Sequence, residues 1–296
     1  MIPGLFITIS NAARKTSNSF RKLIHKLSER VMAAFTWASA ILTIGILVFI
    51  VGFILVKGIP HINPSLFSFT YNSENVSLLP ALISTVFMTL LSLLIAVPLG
   101  VFAAIYLTEY ATRGNKVVSV IRVTTETLSG IPSIVYGLFG LLFFVTFLKW
   151  GYSILAGAFT LSIMILPLIM RSSEEALMAV PDTFREGSFG LGAGKLRTVF
   201  KVVIPSAMPG ILAGIILAIG RIVGETAALV YTAGTVAQIP QNPMMSARTL
   251  SVHMYALSSE GLHTNEGYAT AVVLLVVVVL INAISARIAK KVGVNK

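Results

Sequence analysis

Arg221 and Glu225 are the residues of this 296-residue chain whose types and spacing most clearly invite chemistry. They stand four apart in an apolar run, so on a helix they share one face and can pair. A cation at the centre of a membrane helix costs roughly 2.5–3.5 kcal/mol to insert, and residues kept there usually face a polar interior. A guanidinium offers a planar fork of donors that matches the oxygens of a phosphate-like anion, and it cannot lose its charge. On that reading Arg221 lines an anion path, and Glu225 holds it in place and partly neutralises it. A structural pair fastening one helix to a neighbour is the competing reading, although buried pairs often fail to recover their desolvation cost. Glu126, one turn past Arg122, is the other embedded acid.

The elements that must position these residues are membrane helices. The chain is 56% hydrophobic and 11% charged, with a mean hydropathy of +0.90. A soluble domain is nearer half apolar and about a quarter charged. The apolar residues come in runs of about 20 or more, enough to cross a hydrocarbon core of roughly 30 Å. A β-barrel would need alternating segments of about 10 residues. The sequence therefore predicts an all-α polytopic membrane protein with six spans: 31–56, 80–107, 123–147, 152–170, 207–233 and 268–288. Pro98, Pro132 and Pro167 fall inside spans, where proline is tolerated but kinks the helix. The first apolar run is too long for the 7–15 residues of a signal-peptide core.

The net charge of +11 would point to nucleic acid in a soluble protein, but here it reads as a topology signal, and no nucleic-acid partner is expected. With the N-terminus in the cytoplasm, only Lys57, Lys149 and Arg248 fall outside, Arg221 lies within a span, and every other Lys and Arg falls inside. Both termini are expected to be cytoplasmic. The layout is a basic arm over 1–30, a first span with an external loop over 31–78, a transmembrane domain over 79–290 with a cytoplasmic loop at 171–205, and a tail over 291–296. In the arm, Leu23, Ile24 and Leu27 give a weak apolar face, fitting either an interfacial helix or a plain solvated segment. Cysteine is absent, which excludes disulfides and thiolate metal sites. His61, His253 and His263 lack metal-ligand spacing and read as surface loop residues, so no metal is expected.

The loop at 171–205 is charged and punctuated by glycine. Pro181-Asp182-Thr183 opens a short helix, and Thr183 followed by Glu186 fits a capping box, with Asp182 as a competing cap. Phe184, Phe189 and Leu191 give the helix apolar anchors, and Gly190, Gly192 and Gly194 end it. Such a helix is shaped to seat in a groove on a partner, or to serve as a simple interfacial connector.

Glu186-Gly187-Ser188, then Gly192, then Val202-Val203-Ile204-Pro205 resemble the EAA loop of type I ABC importer permeases, with Gly187 where that family usually has alanine. The likeness covers about residue 79 to the C-terminus. It implies that Thr183, Glu186, Gly192 and Pro205 belong to a coupling helix that docks on a cytoplasmic ATP-binding subunit. Within that family, residues 130–137, 220–227 and 258–263, with 268–271 after them, resemble phosphate importer permeases, in particular the group usually called the A subunit. That resemblance implies a permease subunit, not an enzyme. It would translocate inorganic phosphate by alternating access across the cytoplasmic (inner) membrane of a prokaryote. Its implied partners are a sister permease, two ATP-binding subunits and an extracytoplasmic phosphate-binding protein. The chain has no Gly-rich P-loop, so ATP would be used by the partner and no cofactor would be bound here. The alternatives are a permease for another oxyanion or small solute, and a stand-alone secondary transporter. The latter predicts inverted repeats and several embedded titratable groups.

Overall fold

The computed structural model describes residues 4–112 and 114–294; the side chains of residues 4–28, 288 and 290–294 lie outside the description. Every regular element in it is helical. The chain divides into two units, Met1–Val56 and Lys57–Lys296.

The first unit lies almost wholly on α1 (Gly4–Gly58), a single helix. The expected arm and first span are thus continuous in backbone. The expected apolar face at Leu23, Ile24 and Leu27 lies outside the described residues. The stretch Glu29–His61 is the most apolar of the candidate spans, with a mean hydropathy of 2.9.

The second unit contains α2 (Leu79–Ile105), α3 (Lys116–Ser129), α4 (Ser133–Gly140), α5 (Ile154–Met178), α6 (Asp182–Gly190), α7 (Lys195–Thr198), α8 (Ile204–Val223), α9 (Ala227–Thr232), α10 (Leu250–Glu260) and α11 (Thr264–Val294). Among the described residues of the whole chain, five helices, α1 included, are long and apolar enough to cross a membrane, and a sixth span results if α3 and α4 with its π-helical extension to Phe147 count as one. α5 is the central post, packed against α2, α3, α4, α8 and α9. Ser153 caps its start by accepting from the Ala156 N–H at 3.2 Å. Met88, Leu161, Ile165, Ile169, Ile222 and Leu229 form the core around it. Small residues set the approach of α8: a methyl on Gly210 would come within 2.6 Å of the Ala176 Cβ, and one on Gly214 would strike Ser172. Several buried hydroxyls bond back along their own helix, as Thr85 does to the Ala81 carbonyl at 2.7 Å, which satisfies their donors in an apolar medium.

Three expectations about the spans need correction. The run 123–147 is not one helix: its two halves bend by 101° at residues 130–132. Pro132 cannot donate to a helical ladder and stands in an extended conformation ahead of α4. The run 207–233 is displaced: the helical stretch is Lys195–Val223, followed by a break and the short α9. Finally, the segment expected to be an external loop before 268 holds α10, whose Leu250, Ser251, Val252 and His253 are buried.

Candidate functional site

The two broken spans meet. α4 packs on α9 through glycines that admit no side chain. A methyl on Gly137 would lie 2.8 Å from the Ala228 Cα, and one on Gly140 would collide with Thr160 and Thr232. Tyr136 stitches the first break by donating to the Leu128 carbonyl at 2.8 Å. The second break is held by Glu225 and Ser251. The buried Glu225 carboxylate accepts from the Ala228 N–H at 3.0 Å, which satisfies a donor at the start of α9. Ser251 of α10 donates to the Glu225 carbonyl at 2.6 Å, and the Leu250 N–H donates to Thr85 Oγ1 at 2.8 Å.

This geometry overturns the expected Arg221–Glu225 pair. The helix ends at Gly224, so Glu225 leaves the face that four-residue spacing would have given it. Arg221 sits in the last turn of α8, exposed, and takes part in no ion pair among the described residues. It lies within electrostatic reach of Tyr136. Beside it in the chain, a methyl at Gly220 would meet nothing within 4 Å, and one at Gly224 would meet only a local carbonyl at 3.6 Å. The spacing Gly220–Gly224 therefore does not pack helices within this chain, unlike Gly210 and Gly214. The end of α8 is thus open beside Gly220 and Gly224, and its guanidinium has no ion-pair partner among the described residues. Chemically, that suits an oxyanion and lacks any nucleophile–base pair. Glu126, near the first break, does not pair with Arg122, which instead binds Glu174 at 2.6 Å.

The polar loop is the second site. α6 is a helix as expected, but Pro181 occupies the N-cap and no side chain caps it. The Thr183–Glu186 capping box is absent because Thr183 is already inside the first turn. Asp182 is no cap either; its carboxylate takes Arg185 at 3.1 Å. Thr183 and Glu186 are exposed. Gly192 ends the helix by a specific device. Its φ is +81°, its N–H bonds to the Phe189 carbonyl at 2.9 Å, and the Ala193 N–H bonds to the Ser188 carbonyl at 3.1 Å. That is a Schellman stop, which favours glycine at this position. Ser188 and Thr198 hydroxyls close the loop at 2.8 Å. Pro205 follows a π-helical stretch, Val199–Val203, in which the Ile204 N–H reaches back to the Val199 carbonyl. The wider turn accommodates a proline that would clash with a carbonyl four residues back. Leu191 is 91% exposed, and Phe184 and Phe189 are about half exposed, three apolar side chains that the described residues leave largely uncovered.

Sequence reasoning missed three features. Arg185 forms an ion pair at 2.7 Å with Glu109, whose side chain is buried, although it was legible only as one more topology charge. His253 is fully buried rather than a surface residue, and Arg248 is 5% exposed. The Arg248 guanidinium lies 4.6 Å above the Tyr71 ring, whose edge meets His253. Burial and the neighbouring Arg248 lower the His253 pKa to about 3. Among the described residues no three His, Asp or Glu side chains gather as metal ligands.

The fold is a central post flanked by two broken spans, with a short exposed helix in the loop after the post. Solved ABC transporter chains superpose on this fold. An alginate importer chain superposes with a TM-score of 0.59 at 15% identity, covering 90% of this chain and 99% of that one. A chain of the MetNI methionine transporter superposes at 0.57 and 21%, covering 72% and 93%. The chain belongs to the family of binding-protein-dependent transport system inner membrane components, whose model matches residues 96–294. Among its relatives are a probable ABC transporter permease, YqgI of Bacillus subtilis, 35% identical over 80% of this chain and 85% of that protein. The phosphate transport system permease protein PstA of Pasteurella multocida is 33% identical over 89% and 94%, and that of Haemophilus influenzae 34% over 74% and 78%.

Proposed function

We propose that this chain carries inorganic phosphate inward across the cytoplasmic membrane of a prokaryote, as one permease of an ATP-driven importer. The observation that carries the reading is Arg221: an exposed guanidinium at the end of α8, just ahead of the second break, with no ion-pair partner among the described residues and open glycine beside it. A tetrahedral oxyanion crossing there gains a forked donor, and no carboxylate holds that fork shut. The phosphate transport names of the Pasteurella and Haemophilus relatives favour phosphate over another oxyanion. Family membership argues against a stand-alone secondary transporter.

In this reading both termini and α6 are cytoplasmic, as the Lys and Arg distribution favours. α6 seats on an ATP-binding subunit through Phe184, Phe189 and Leu191, with Thr183 and Glu186 at the contact. A sister permease completes the pore, a second ATP-binding subunit serves that half, and a phosphate-binding protein delivers cargo from outside. ATP is spent by the partners, and no cofactor binds here. ATP binding closes the partners and opens the pore outward; hydrolysis resets it.

The test is phosphate uptake by the whole complex in proteoliposomes. Arg221→Gln is expected to abolish uptake while the complex still assembles. Uptake at the parent rate would show that Arg221 does not line the path.

A further inference from the structure

α6 buries none of its own residues. A helix that must transmit force cannot be held by such a surface alone, so its tethers decide what it moves. Arg185 supplies the strongest of them. Its Nη2 donates to Glu109 Oε1 at 2.7 Å and to the Leu177 carbonyl at 3.0 Å. Its Nη1 donates to the Val180 carbonyl at 2.7 Å and to Asp182 at 3.1 Å. Its Nε reaches both Glu109 oxygens at 3.2 and 3.4 Å. All three nitrogens are therefore engaged, on three elements.

Each partner has a reason to hold. The Leu177 carbonyl, in the last turn of α5, and the Val180 carbonyl, just beyond it, have lone pairs that the helix ladder does not use. Glu109 lies on a π turn, Tyr106–Tyr110, that finishes α2; there the Ala111 N–H reaches back five residues to the Tyr106 carbonyl at 2.9 Å. The Glu109 side chain is 7% exposed and that of Arg185 is 16%. Pulling the pair apart would leave a buried carboxylate without a partner, which is strongly unfavourable. The neighbouring Arg171–Glu175 pair, 59% and 61% exposed, has no such penalty and contributes little.

We infer that Arg185 is the positioning residue that binds α6 to the ends of α2 and α5, so that a push on α6 moves both spans as one body. It touches no cargo. The inference rests on the ATP-driven reading above. Lysine cannot replace it, because a point-charge ammonium lacks the fork that spans Glu109 and the two carbonyls.

The chain has no cysteine, so spin labels can be placed cleanly. Gly190→Cys has nothing within 4 Å of its new side chain, and Phe102→Cys replaces a residue of α2 that is 60% exposed. In the assembled complex, the distance between the two labels is expected to be the same with and without ATP. With Arg185→Gln added, ATP is expected to shift it by several ångströms. Glu109→Gln, which keeps an acceptor oxygen, gives the same reading, in smaller measure, if the first variant does not assemble. A parent distance that changes with ATP, or variants as insensitive as the parent, would overturn the inference. Phosphate imported per ATP hydrolysed is expected to fall about tenfold in Arg185→Gln, the scale of one lost charge-assisted hydrogen bond. A parent complex that imports no phosphate would sink the cargo reading and leave the distance measurement decisive for Arg185.

Discussion

Glu225 gives its carboxylate to the backbone N–H of Ala228, at 3.0 Å, and not to Arg221 four residues earlier. The acid maintains a break in the chain, and the cation is left free. The two residues should therefore respond differently to mutation. Glu225→Gln keeps an oxygen for the Ala228 N–H and is expected to retain most thermal stability. Glu225→Ala leaves that donor unfilled at a buried position and is expected to lose about 1–3 kcal/mol. Thermal unfolding of the purified chain in mild detergent measures both. Equal stability of the two variants would refute the role.

Gly192 ends α6 at φ +81°. Alanine there costs about 1–2 kcal/mol of left-handed strain, while asparagine costs less. Gly192→Ala is expected to weaken co-purification of the ATP-binding subunit, with Gly192→Asn in between. Identical recovery of the partner by all three chains would count against the Schellman stop as a requirement for docking.

Glu186 is exposed on α6. Glu186→Arg reverses a charge on the proposed docking face without touching the core. It is expected to reduce ATPase recovery and stimulated ATP hydrolysis while leaving the unfolding temperature near that of the parent. Unchanged recovery and hydrolysis would remove Glu186 from the contact.

The glycines separate packing from passage. Gly137→Val places atoms where Ala228 already lies, and overpacking of this kind costs about 1–3 kcal/mol. Gly220→Ala meets nothing within 4 Å and replaces a helix glycine, a change that gains roughly 0.5–1 kcal/mol. Folded yield is expected to fall in the first and hold in the second. A loss of uptake confined to Gly220→Ala would then mark the junction as the path, and normal uptake would place the path elsewhere.

His253 gives a pH dependence outside the spans. Its folded pKa, about 3, is below the ordinary 6.5, so the unfolded chain takes up the proton first as pH falls. Stability is therefore unaffected by this group above about pH 7 and declines below it, by about 2 kcal/mol at pH 5. Burial keeps the imidazole neutral, and Arg248, beside the Tyr71 ring that His253 also meets, adds to it. His253→Gln is expected to flatten the acid side of the stability profile, read as unfolding temperature between pH 5 and 8. An unaltered slope would show that His253 is not the titrating group.

The sequence by itself determined the class of molecule, because span length and the depletion of charge are imposed by the bilayer on any chain that crosses it. It also located α6, since a wet, glycine-stopped segment between two apolar runs has few other uses, and Gly192 marked its end. What it could not decide was where a span stays a helix. Residues 123–147 and 207–233 read as continuous because apolar composition is the same on both sides of a bend. The breaks exist because α4 and α9 pack on each other and Ser251 and Thr85 hold the junction from distant parts of the chain. The same limit applies to the charges. Spacing offers Arg221 to Glu225 and Arg122 to Glu126, yet Arg122 goes to Glu174 and Arg185 to Glu109, 52 and 76 residues away. Four-residue spacing offers a partner only while the helix continues, as it does not between Arg221 and Glu225, and even within the unbroken α3 tertiary packing can draw Arg122 away to a neighbouring helix.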